Sequence, residues 1–258
     1  MNNKCVLITG AVINTGLATA KKFLSEGWTV FITSRNEKEA EDRAKQLSKE
    51  YSQPCFGLGY TPLRAKEEIE NLYKKIEDLG YVVNVVVCNA ANLGLSQDAL
   101  EVDPNEWEDV LLTNVTGYFA TASVGAIQMI RADKSENGSI VFVGSINYRN
   151  AIPARSAYVA SKGAIYAMTK ALALDYAPYG IRVNCVMPGP IWTTRYDADP
   201  EKARKKAQPI PIGRVSTTKE IAQAIFYLAT EQSGNMTGSG LVIDGGLDSS
   251  SACAKVLR

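Results

Sequence analysis

The sequence predicts an α/β protein with one doubly wound sheet of seven parallel strands and helices on both of its faces. Short apolar runs rich in Val and Ile alternate with longer helical patterns along the chain. Parallel strands that are covered on both faces are expected to be almost continuously apolar. The 258 residues suit one large domain better than two, so residues 1–258 are expected to form a single unit.

Each strand is predicted from an apolar run that ends in polar or turn-forming residues. The predicted strands are 5–9, 29–33, 55–59, 82–88, 138–143, 182–187 and 240–244. Helices are predicted between them, with an apolar stripe from Leu17 to Leu24 that stops at Gly27, and then at 37–50, 65–79, 104–131, 156–176 and 217–230. The tail 249–258 is expected to be peripheral, or to dock on a neighbour through Val256 and Leu257.

Composition and charge exclude several classes of function. A net charge of +1 argues against binding nucleic acid or a membrane surface by bulk electrostatics. The chain has no histidine, which excludes Ser-His-Asp and Cys-His catalysis, HExxH zinc sites and histidine-ligated haem. Its five cysteines form no CxxC pair, and no metal site is expected. With no signal-like or membrane-spanning apolar segment, we expect a reducing cytoplasmic location.

The first predicted strand leads into a turn, 9–16, that contains Gly10, Asn14, Thr15 and Gly16, and a helix follows. In a doubly wound sheet, backbone N–H groups here bind a diphosphate at the helix N-terminus. Asn14 stands where a glycine would be convenient, and Asn tolerates left-handed backbone geometry. Its side chain would either crowd the diphosphate or hydrogen-bond to it. Two glycines at this spacing are also compatible with ordinary turn chemistry.

The second predicted strand ends in Ser34 and Arg35, with no acidic residue. In dinucleotide folds an acidic residue at this strand end binds the ribose 2′-hydroxyl, whereas an Arg can bind a 2′-phosphate. The sequence therefore favours NADP(H) over NAD(H). The alternative is that Arg35 is an ordinary loop charge.

Tyr158 and Lys162 are four residues apart in a predicted helix and lie on one face, one turn apart. A free tyrosine has a pKa of about 10, and a nearby ammonium favours the phenolate. Tyr158 is therefore a candidate general acid/base. Ser145, at the end of a predicted strand, would orient a carbonyl or alcohol oxygen beside it. Taken alone, Tyr-x-x-x-Lys is a weak motif, and a surface Tyr with a solvated Lys is the alternative.

Several motifs together resemble the short-chain dehydrogenase/reductase family, most closely its 3-oxoacyl-(acyl-carrier-protein) reductase-like branch. The resemblance runs from Val6 to Gly246. Its motifs are the turn Thr9-Gly10-x-x-x-Asn14-x-Gly16, Cys88-Asn89-Ala90-Ala91, Asn114-Val115-Thr116-Gly117, Ser145 thirteen residues before Tyr158, Tyr158-x-x-x-Lys162, Pro188-Gly189 and Thr237-Gly238 with Asp244-Gly245-Gly246. Asn14 and Ala91 depart from the family's usual glycines.

The resemblance implies a Rossmann-type fold and hydride transfer between a nicotinamide and a carbonyl or alcohol carbon. Tyr158 would be the proton donor, Ser145 would hold the substrate oxygen, Lys162 would lower the Tyr158 pKa and bind the nicotinamide ribose, and Asn114 would hold a water. The implied cofactor-binding residues are Gly10, Asn14, Thr15, Gly16, Ser34, Arg35, Asn89, Ala90, Tyr158, Lys162, Pro188, Gly189, Ile191 and Thr193. Thr61 is a candidate for contact with adenine. A homotetramer is also implied.

A substrate pocket is expected, and residues 192–209 are expected to form a mobile lid over it. The pocket residues are Leu93, Leu95, Ile146, Asn147, Tyr148, Arg155, Pro190, Trp192 and Tyr196. An apolar substrate body would meet Trp192 and Tyr196, and Arg155 and Arg195 would meet an anionic group, unless these side chains serve only loop packing or solvation. Reduction of a 3-oxoacyl thioester or related ketone is the favoured activity. Oxidation of a polyol, sugar or hydroxysteroid is the first alternative, and a catalytically silent dinucleotide-binding regulator is the second.

Overall fold

The computed structural model describes residues 4–61 and 66–250 and contains one parallel sheet of seven strands. The order of the strands across the sheet is β3-β2-β1-β4-β5-β6-β7, which confirms the predicted doubly wound fold. The strands are β1 Cys5–Ile8, β2 Thr29–Ser34, β3 Cys55–Gly59, β4 Val85–Cys88, β5 Ser139–Val143, β6 Arg182–Pro188 and β7 Gly240–Ile243. All seven lie within about three residues of their predicted positions, and β1, β4 and β5 are completely buried, as expected for apolar runs that are covered on both faces.

Helices connect the strands as predicted, with additional short helices late in the chain. They are α1 Asn14–Ser25, α2 Glu37–Tyr51, α3 Lys66–Asp78, α4 Pro104–Leu111, α5 Gly117–Arg131, α6 Ser156–Tyr176, α7 Thr194–Asp197, α8 Pro200–Ala207 and α9 Thr218–Ala229. Asp103 caps α4 through the Asn105 N–H, and Thr217 and Glu220 form a capping box on α9. These caps fix where two of the helices begin.

The core is two apolar layers, one on each face of the sheet. Alternate residues of β1 point to opposite layers, Leu7 to one and Val6 and Ile8 to the other. Helices α3, α5 and α6 cover the Leu7 face, and α1, α2 and α9 cover the opposite face. Each fully buried large apolar side chain contributes on the order of 2 kcal/mol. The sheet is therefore a rigid support for the residues that follow its strands.

The predicted helix 104–131 is continuous but changes its winding in the middle. A π-helix at Leu112–Thr116 separates α4 from α5. By length and composition, Pro104–Arg131 would also pass as a membrane-crossing helix, a test that buried core helices pass as well. Here Tyr118, Ala122 and Met129 are buried in the core under the sheet.

The strand order places the candidate site at one edge of the sheet. The chain moves outward from β1 through β2 to β3, and then returns to place β4 on the other side of β1. In open α/β sheets ligands bind at this switch point, outside the carboxyl ends of the strands. The residues after β1, β2, β4, β5 and β6 therefore converge there.

Candidate active site

The turn after β1 has a left-handed glycine and close backbone packing, the geometry expected of a diphosphate-binding turn. Gly10 has a φ of +62°, and a Cβ there would lie 2.8 Å from the Ala90 Cα. A Cβ on Gly16 would lie 2.4 Å from the Gly10 carbonyl oxygen, so α1 packs closely on the turn. The N-cap residue Ile13 gives α1 no side-chain hydrogen bond, so no cap competes with a ligand for the first N–H groups.

The segment after β4 supports this turn from the side. The Asn89 side-chain Nδ2 donates to the carbonyl oxygens of Thr9 and Gly10 at 3.0 and 2.9 Å. In return, the Thr9 hydroxyl accepts hydrogen bonds from the backbone N–H groups of Asn89 and Ala90 at 2.9 and 3.1 Å. Asn89 and Ala90 therefore shape the turn, and their contact with a cofactor stays a prediction.

The end of β2 places Ser34 and Arg35 at the same edge. The Ser34 hydroxyl donates to the Glu39 carboxylate at 3.0 Å, and the Asn36 side chain caps α2. Arg35 is exposed, and among residues 4–61 and 66–250 its guanidinium makes no hydrogen bond or ion pair. A carboxylate beside Ser34 is a feature that the sequence analysis did not identify. Thr61, the candidate for adenine contact, follows the end of β3 at the same edge.

Beyond β6, Pro188 ends the strand and the chain turns tightly at Gly189. A Cβ on Gly189 would lie 2.8 Å from the Asp244 Cβ, so the loops after β6 and β7 are in contact. Ile191 then forms a β-bridge with Ser216. Thr193 precedes α7, and its hydroxyl oxygen accepts a hydrogen bond from the Arg195 Nε at 3.2 Å. The predicted cofactor-binding residues Gly189, Ile191 and Thr193 thus lie in the loop that follows β6.

Ser145, Tyr158 and Lys162 converge between β5 and α6. Ser145 follows β5 and is buried, and its hydroxyl is close enough to Tyr158 to offset part of the increase that burial causes in the pKa of that phenol. The Ser145 Oγ also donates to the Asn147 Oδ1 at 3.0 Å and accepts from the Asn147 N–H at 3.1 Å. Lys162 is fully buried, with its Nζ 5.4 Å from the centre of the Tyr158 ring.

Burial is the largest electrostatic effect on this trio. The pKa of Tyr158 is raised, because burial disfavours the phenolate more than the Ser145 hydrogen bond and the charges of Arg195 and Arg155 favour it. The predicted lowering of this pKa by Lys162 stays a prediction. Burial lowers the pKa of Lys162 itself to about 8, and its Nζ donates to the Val143 carbonyl oxygen at 2.8 Å.

Asn114 lies in the π-helix and is completely buried. Its Oδ1 accepts from the Asn92 N–H at 2.8 Å, and its Nδ2 donates to the Asn92 carbonyl oxygen at 2.8 Å and to the Ser161 Oγ at 3.0 Å. Ser161 in turn donates to the Tyr158 carbonyl oxygen at 2.7 Å. Asn114 therefore links the loop after β4 to the helix that carries Tyr158. Sequence reasoning missed Ser161, whose only signal is its position between Tyr158 and Lys162.

A cleft beside Tyr158 contains some of the predicted pocket residues and several that were not predicted. Leu93, Leu95 and Arg155 line it as expected. It is completed by Gly94, Gln97, Val102, Glu106, Trp107, Val110, Ala154, Ser156 and Ala157. Six of the added residues, from Gly94 to Val110, come from α4 and the segment before it, which sequence spacing alone did not connect to α6.

Arg155 makes hydrogen bonds to the backbone of the loop after β4. Its Nη1 donates to the carbonyl oxygens of Leu93 and Gly94 at 2.9 and 2.7 Å. The preceding residue, Ala154, has a φ of +57°, which is uncommon for a residue with a side chain. Arg155 thus fixes the loop that forms one wall of the cleft.

The other predicted pocket residues do not line this cleft, and they pack against different parts of the protein. Ile146 is buried, and Tyr148 packs against Tyr166 with ring centres 4.7 Å apart, on the core side of α6. Trp192 is partly exposed and lies 6.0 Å from the buried Tyr196. The Trp192 N–H at Nε1 donates to the Asp197 carboxylate at 2.8 Å, which packs the segment 192–197 on itself. The Pro190 carbonyl oxygen accepts a hydrogen bond from the Ser216 N–H at 2.9 Å.

The segment 192–209 contains α7 and α8 and begins at a fixed point. The Trp192 N–H donates to the Ser216 carbonyl oxygen at 2.7 Å. The Thr194 N–H donates to the Asn14 Oδ1 at 3.1 Å, which joins this segment directly to the turn after β1. Asn14 itself has a φ of +50°, in the left-handed region expected for it.

The fold and this site define a class of protein, an oxidoreductase that uses a nicotinamide dinucleotide. A family model described as enoyl-(acyl carrier protein) reductase matches residues 10–248. The chain belongs to the short-chain dehydrogenase/reductase family, and it is an NAD(P)-dependent enzyme that acts on small molecules.

Individual relatives cover almost the whole chain. The 3-oxoacyl-(acyl-carrier-protein) reductase of Thermotoga maritima is 36% identical over 252 residues, which are 96% of this chain and 98% of the relative. The 2-(S)-hydroxypropyl-CoM dehydrogenase 3 of Xanthobacter autotrophicus is 30% identical over 254 residues, 96% and 97% of the two chains. The crystal structure of acetoin dehydrogenase YohF from Salmonella typhimurium has a TM-score of 0.87 and 27% identity, and the match covers 98% of this chain and 99% of that one.

Proposed function

We propose that this enzyme is an NADPH-dependent ketone reductase that acts on 3-oxoacyl-type substrates. The observation that carries the proposal is the convergence of Ser145, Tyr158 and Lys162 beside a turn that fits a diphosphate. The Ser145 and Tyr158 hydroxyls, with a buried ammonium one helical turn from Tyr158, would provide the proton transfer that carbonyl reduction requires.

The polar residues of the site divide the steps of the proposed reaction among them. The nicotinamide, when bound, supplies the hydride. Tyr158 gives its phenolic proton to the carbonyl oxygen, and a raised pKa keeps that proton in place at neutral pH. Ser145 holds the same oxygen. Lys162 binds the nicotinamide ribose hydroxyls and stabilises the phenolate that forms. Asn114 has one acceptor lone pair left on Oδ1 for a water between Lys162 and solvent.

The dinucleotide would lie along the carboxyl edge of the sheet. The backbone of Gly10, Asn14, Thr15 and Gly16 would hold the diphosphate. Pro188, Gly189, Ile191 and Thr193 would hold the nicotinamide. Arg35, which has no partner among the described residues, supports recognition of a 2′-phosphate.

Apolar walls support a 3-oxoacyl substrate. Leu93, Leu95, Val102 and Trp107 line the cleft beside Tyr158, and 3-oxoacyl-(acyl-carrier-protein) reductases are among the relatives. In the proposal, segment 192–209 is a lid over this cleft. The apolar lining would contact the acyl chain, and Arg195, exposed on the lid, would meet an anionic carrier.

A second candidate is oxidation of a polyol or sugar. The Gln97 side-chain oxygen lines the cleft, is buried, and has no hydrogen-bond partner among the described residues. A substrate hydroxyl would satisfy it, and leaving such a group unpaired costs about 1–3 kcal/mol. A glucose and ribitol dehydrogenase homolog of Oryza sativa is among the relatives.

A substrate panel decides between the candidates. NADPH consumption with 3-oxoacyl thioesters and simple ketones is measured against NADP⁺ and NAD⁺ reduction with polyols, sugars and hydroxysteroids. Preference for the thioester supports the proposal, and preference for a polyol supports the second candidate. NADPH binding with no turnover on the whole panel would instead favour a silent dinucleotide-binding regulator.

We also propose a cytoplasmic homotetramer. Apolar side chains on α5 and α6 remain exposed in the single chain, with Phe119 49% and Leu174 78% accessible. These exposed side chains support a subunit contact that involves α5 and α6. Light scattering of the purified protein tests the tetramer, and a monomer at micromolar concentration would contradict it.

A further inference from the structure

Asn14 belongs to the turn after β1 and also holds the segment after β6. Its backbone is left-handed, with a φ of +50°, and its side-chain Oδ1 accepts a hydrogen bond from the Thr194 N–H at 3.1 Å. The two residues are 180 positions apart in the chain. The contact therefore joins the candidate diphosphate site to the first residue of α7.

The Thr194 N–H needs a partner from outside its own helix. The first N–H groups of a helix have no intrahelical acceptor, and the N-cap side chain usually provides one. Here the N-cap is Thr193, which makes no side-chain capping bond, and its hydroxyl oxygen accepts from the Arg195 Nε. Asn14 thus caps α7 from another part of the chain.

The turn alone does not require the Asn14 side chain. Glycine adopts a positive φ at lower steric cost than any other residue, so glycine would satisfy the backbone of this turn. The amide at position 14 adds an acceptor that glycine lacks, and that acceptor is in use. The side chain consequently has a role beyond the turn.

The same segment is fixed on its other side. Ile191 forms a β-bridge with Ser216, and the Trp192 N–H donates to the Ser216 carbonyl oxygen at 2.7 Å. Residues 193 and 194 therefore lie between two anchors, the bridge to Ser216 and the hydrogen bond to Asn14. Without the second anchor, the Thr194 N–H has no hydrogen-bond partner among the described residues.

We propose that Asn14 is a positioning residue that holds residues 193–196 over the dinucleotide site before the cofactor binds. This inference rests on the proposed function in one respect, that the turn after β1 is the dinucleotide site. A segment already held in place loses less conformational freedom when it closes on the cofactor. Asn14 thereby contributes to cofactor affinity through the position of Thr193 and Thr194.

Asn14→Gly removes the amide and keeps the left-handed backbone. Asn137→Gly is the matched control, because Asn137 also has a positive φ, +65°, and lies before β5 at the opposite edge of the sheet. Hydrogen exchange of the Thr194 amide is measured in the cofactor-free protein by NMR, or by mass spectrometry of peptides covering 192–199. We expect exchange to accelerate about 5- to 10-fold in Asn14→Gly and to be unchanged in Asn137→Gly.

Cofactor affinity provides the second readout. We expect Asn14→Gly to weaken NADPH binding by about 3- to 10-fold, with a smaller effect on kcat, because the loss precedes the chemical step. Asn14→Asp keeps an acceptor oxygen and tolerates the left-handed backbone, so it is expected to restore the slow exchange of Thr194. Its added negative charge would still weaken NADPH binding, since the diphosphate is also negative.

Three results would overturn the inference: unchanged Thr194 exchange in Asn14→Gly, the same acceleration in Asn137→Gly, or unchanged NADPH affinity despite faster exchange. Failure of the proposed function is a separate result. A wild-type protein that binds no dinucleotide contradicts the proposed function, whereas the Thr194 exchange in the free protein tests the contact independently of any cofactor.

Discussion

The Lys162 ammonium lies 5.4 Å from the centre of the Tyr158 ring, and its hydrogen bond goes to the Val143 carbonyl oxygen. Burial, which lowers the pKa of Lys162 to about 8, also raises the pKa of Tyr158. The free enzyme therefore holds a protonated phenol beside a weakened base. This is the state that a carbonyl reduction starts from.

The first prediction concerns stability and pH. A lysine with a pKa of about 8 in the folded protein and about 10.4 when unfolded binds fewer protons in the folded state between those two values, so its contribution to stability rises with pH there. Lys162→Met removes this titration. We expect the stability of the variant relative to wild type to fall by about 2 kcal/mol between pH 7 and pH 9.5. Urea unfolding at both pH values measures it, and a constant difference would contradict the lowered pKa of Lys162.

The second prediction concerns Ser145. Its hydrogen bond lowers the pKa of Tyr158, so Ser145→Ala should raise that pKa and move the alkaline limb of the pH–rate profile upward. Loss of the oxygen-holding hydroxyl should also reduce kcat by about 10²- to 10³-fold. Ser145→Thr keeps a hydroxyl and should recover part of the rate. A pH profile that does not move in Ser145→Ala would be inconsistent with this contact.

The third prediction concerns close packing at Gly16. A Cβ there would lie 2.4 Å from the Gly10 carbonyl oxygen and 2.7 Å from the Ala11 Cα, both backbone atoms. Gly16→Ala should destabilise the protein by about 1–3 kcal/mol and weaken NADPH binding. Gly163→Ala is the control, because a Cβ on Gly163 in α6 meets no atom within 4 Å. That control should gain roughly 0.5–1 kcal/mol from helix propensity. Thermal unfolding of both variants tests the contrast, and equal effects would refute it.

The fourth prediction concerns the choice of cofactor. Glu39 accepts the Ser34 hydroxyl at 3.0 Å, so a carboxylate lies next to the proposed 2′-phosphate site. Arg35→Ala should lower the preference for NADPH over NADH by about 10-fold, and Glu39→Gln should raise it, because the repulsive charge is removed. The ratio of kcat/KM values for the two cofactors is the measurement. An unaltered ratio in Arg35→Ala would show that Arg35 is an ordinary solvated loop charge with no contact to the 2′-phosphate.

Much of the fold was predictable because its signals are local. The strands at Cys55–Gly59 and Arg182–Pro188 follow from apolar runs, and the left-handed backbone of Asn14 follows from its place in the turn. The π-helix around Asn114 was not predictable. The spacing of apolar residues indicates a helix but does not show where one turn of it contains an extra residue.

The missing parts of the site depend on contacts between distant segments. The role of Ser161 requires Asn114 and α6 to be neighbours. Tyr148 was placed in the pocket because it is close to Ser145 in sequence, but it packs against Tyr166. The pKa of Tyr158 depends on burial, which exceeds the effect of the charges around it. None of these effects has a signature in residue spacing.

The most direct test of the central claim is Tyr158→Phe, which removes the phenolic proton and keeps the ring. We measure NADPH binding by fluorescence and turnover on the best substrate of the panel. Unchanged NADPH affinity with turnover reduced by at least about 10³-fold is the predicted result. Turnover close to that of wild type would contradict the assignment of Tyr158 as the proton donor.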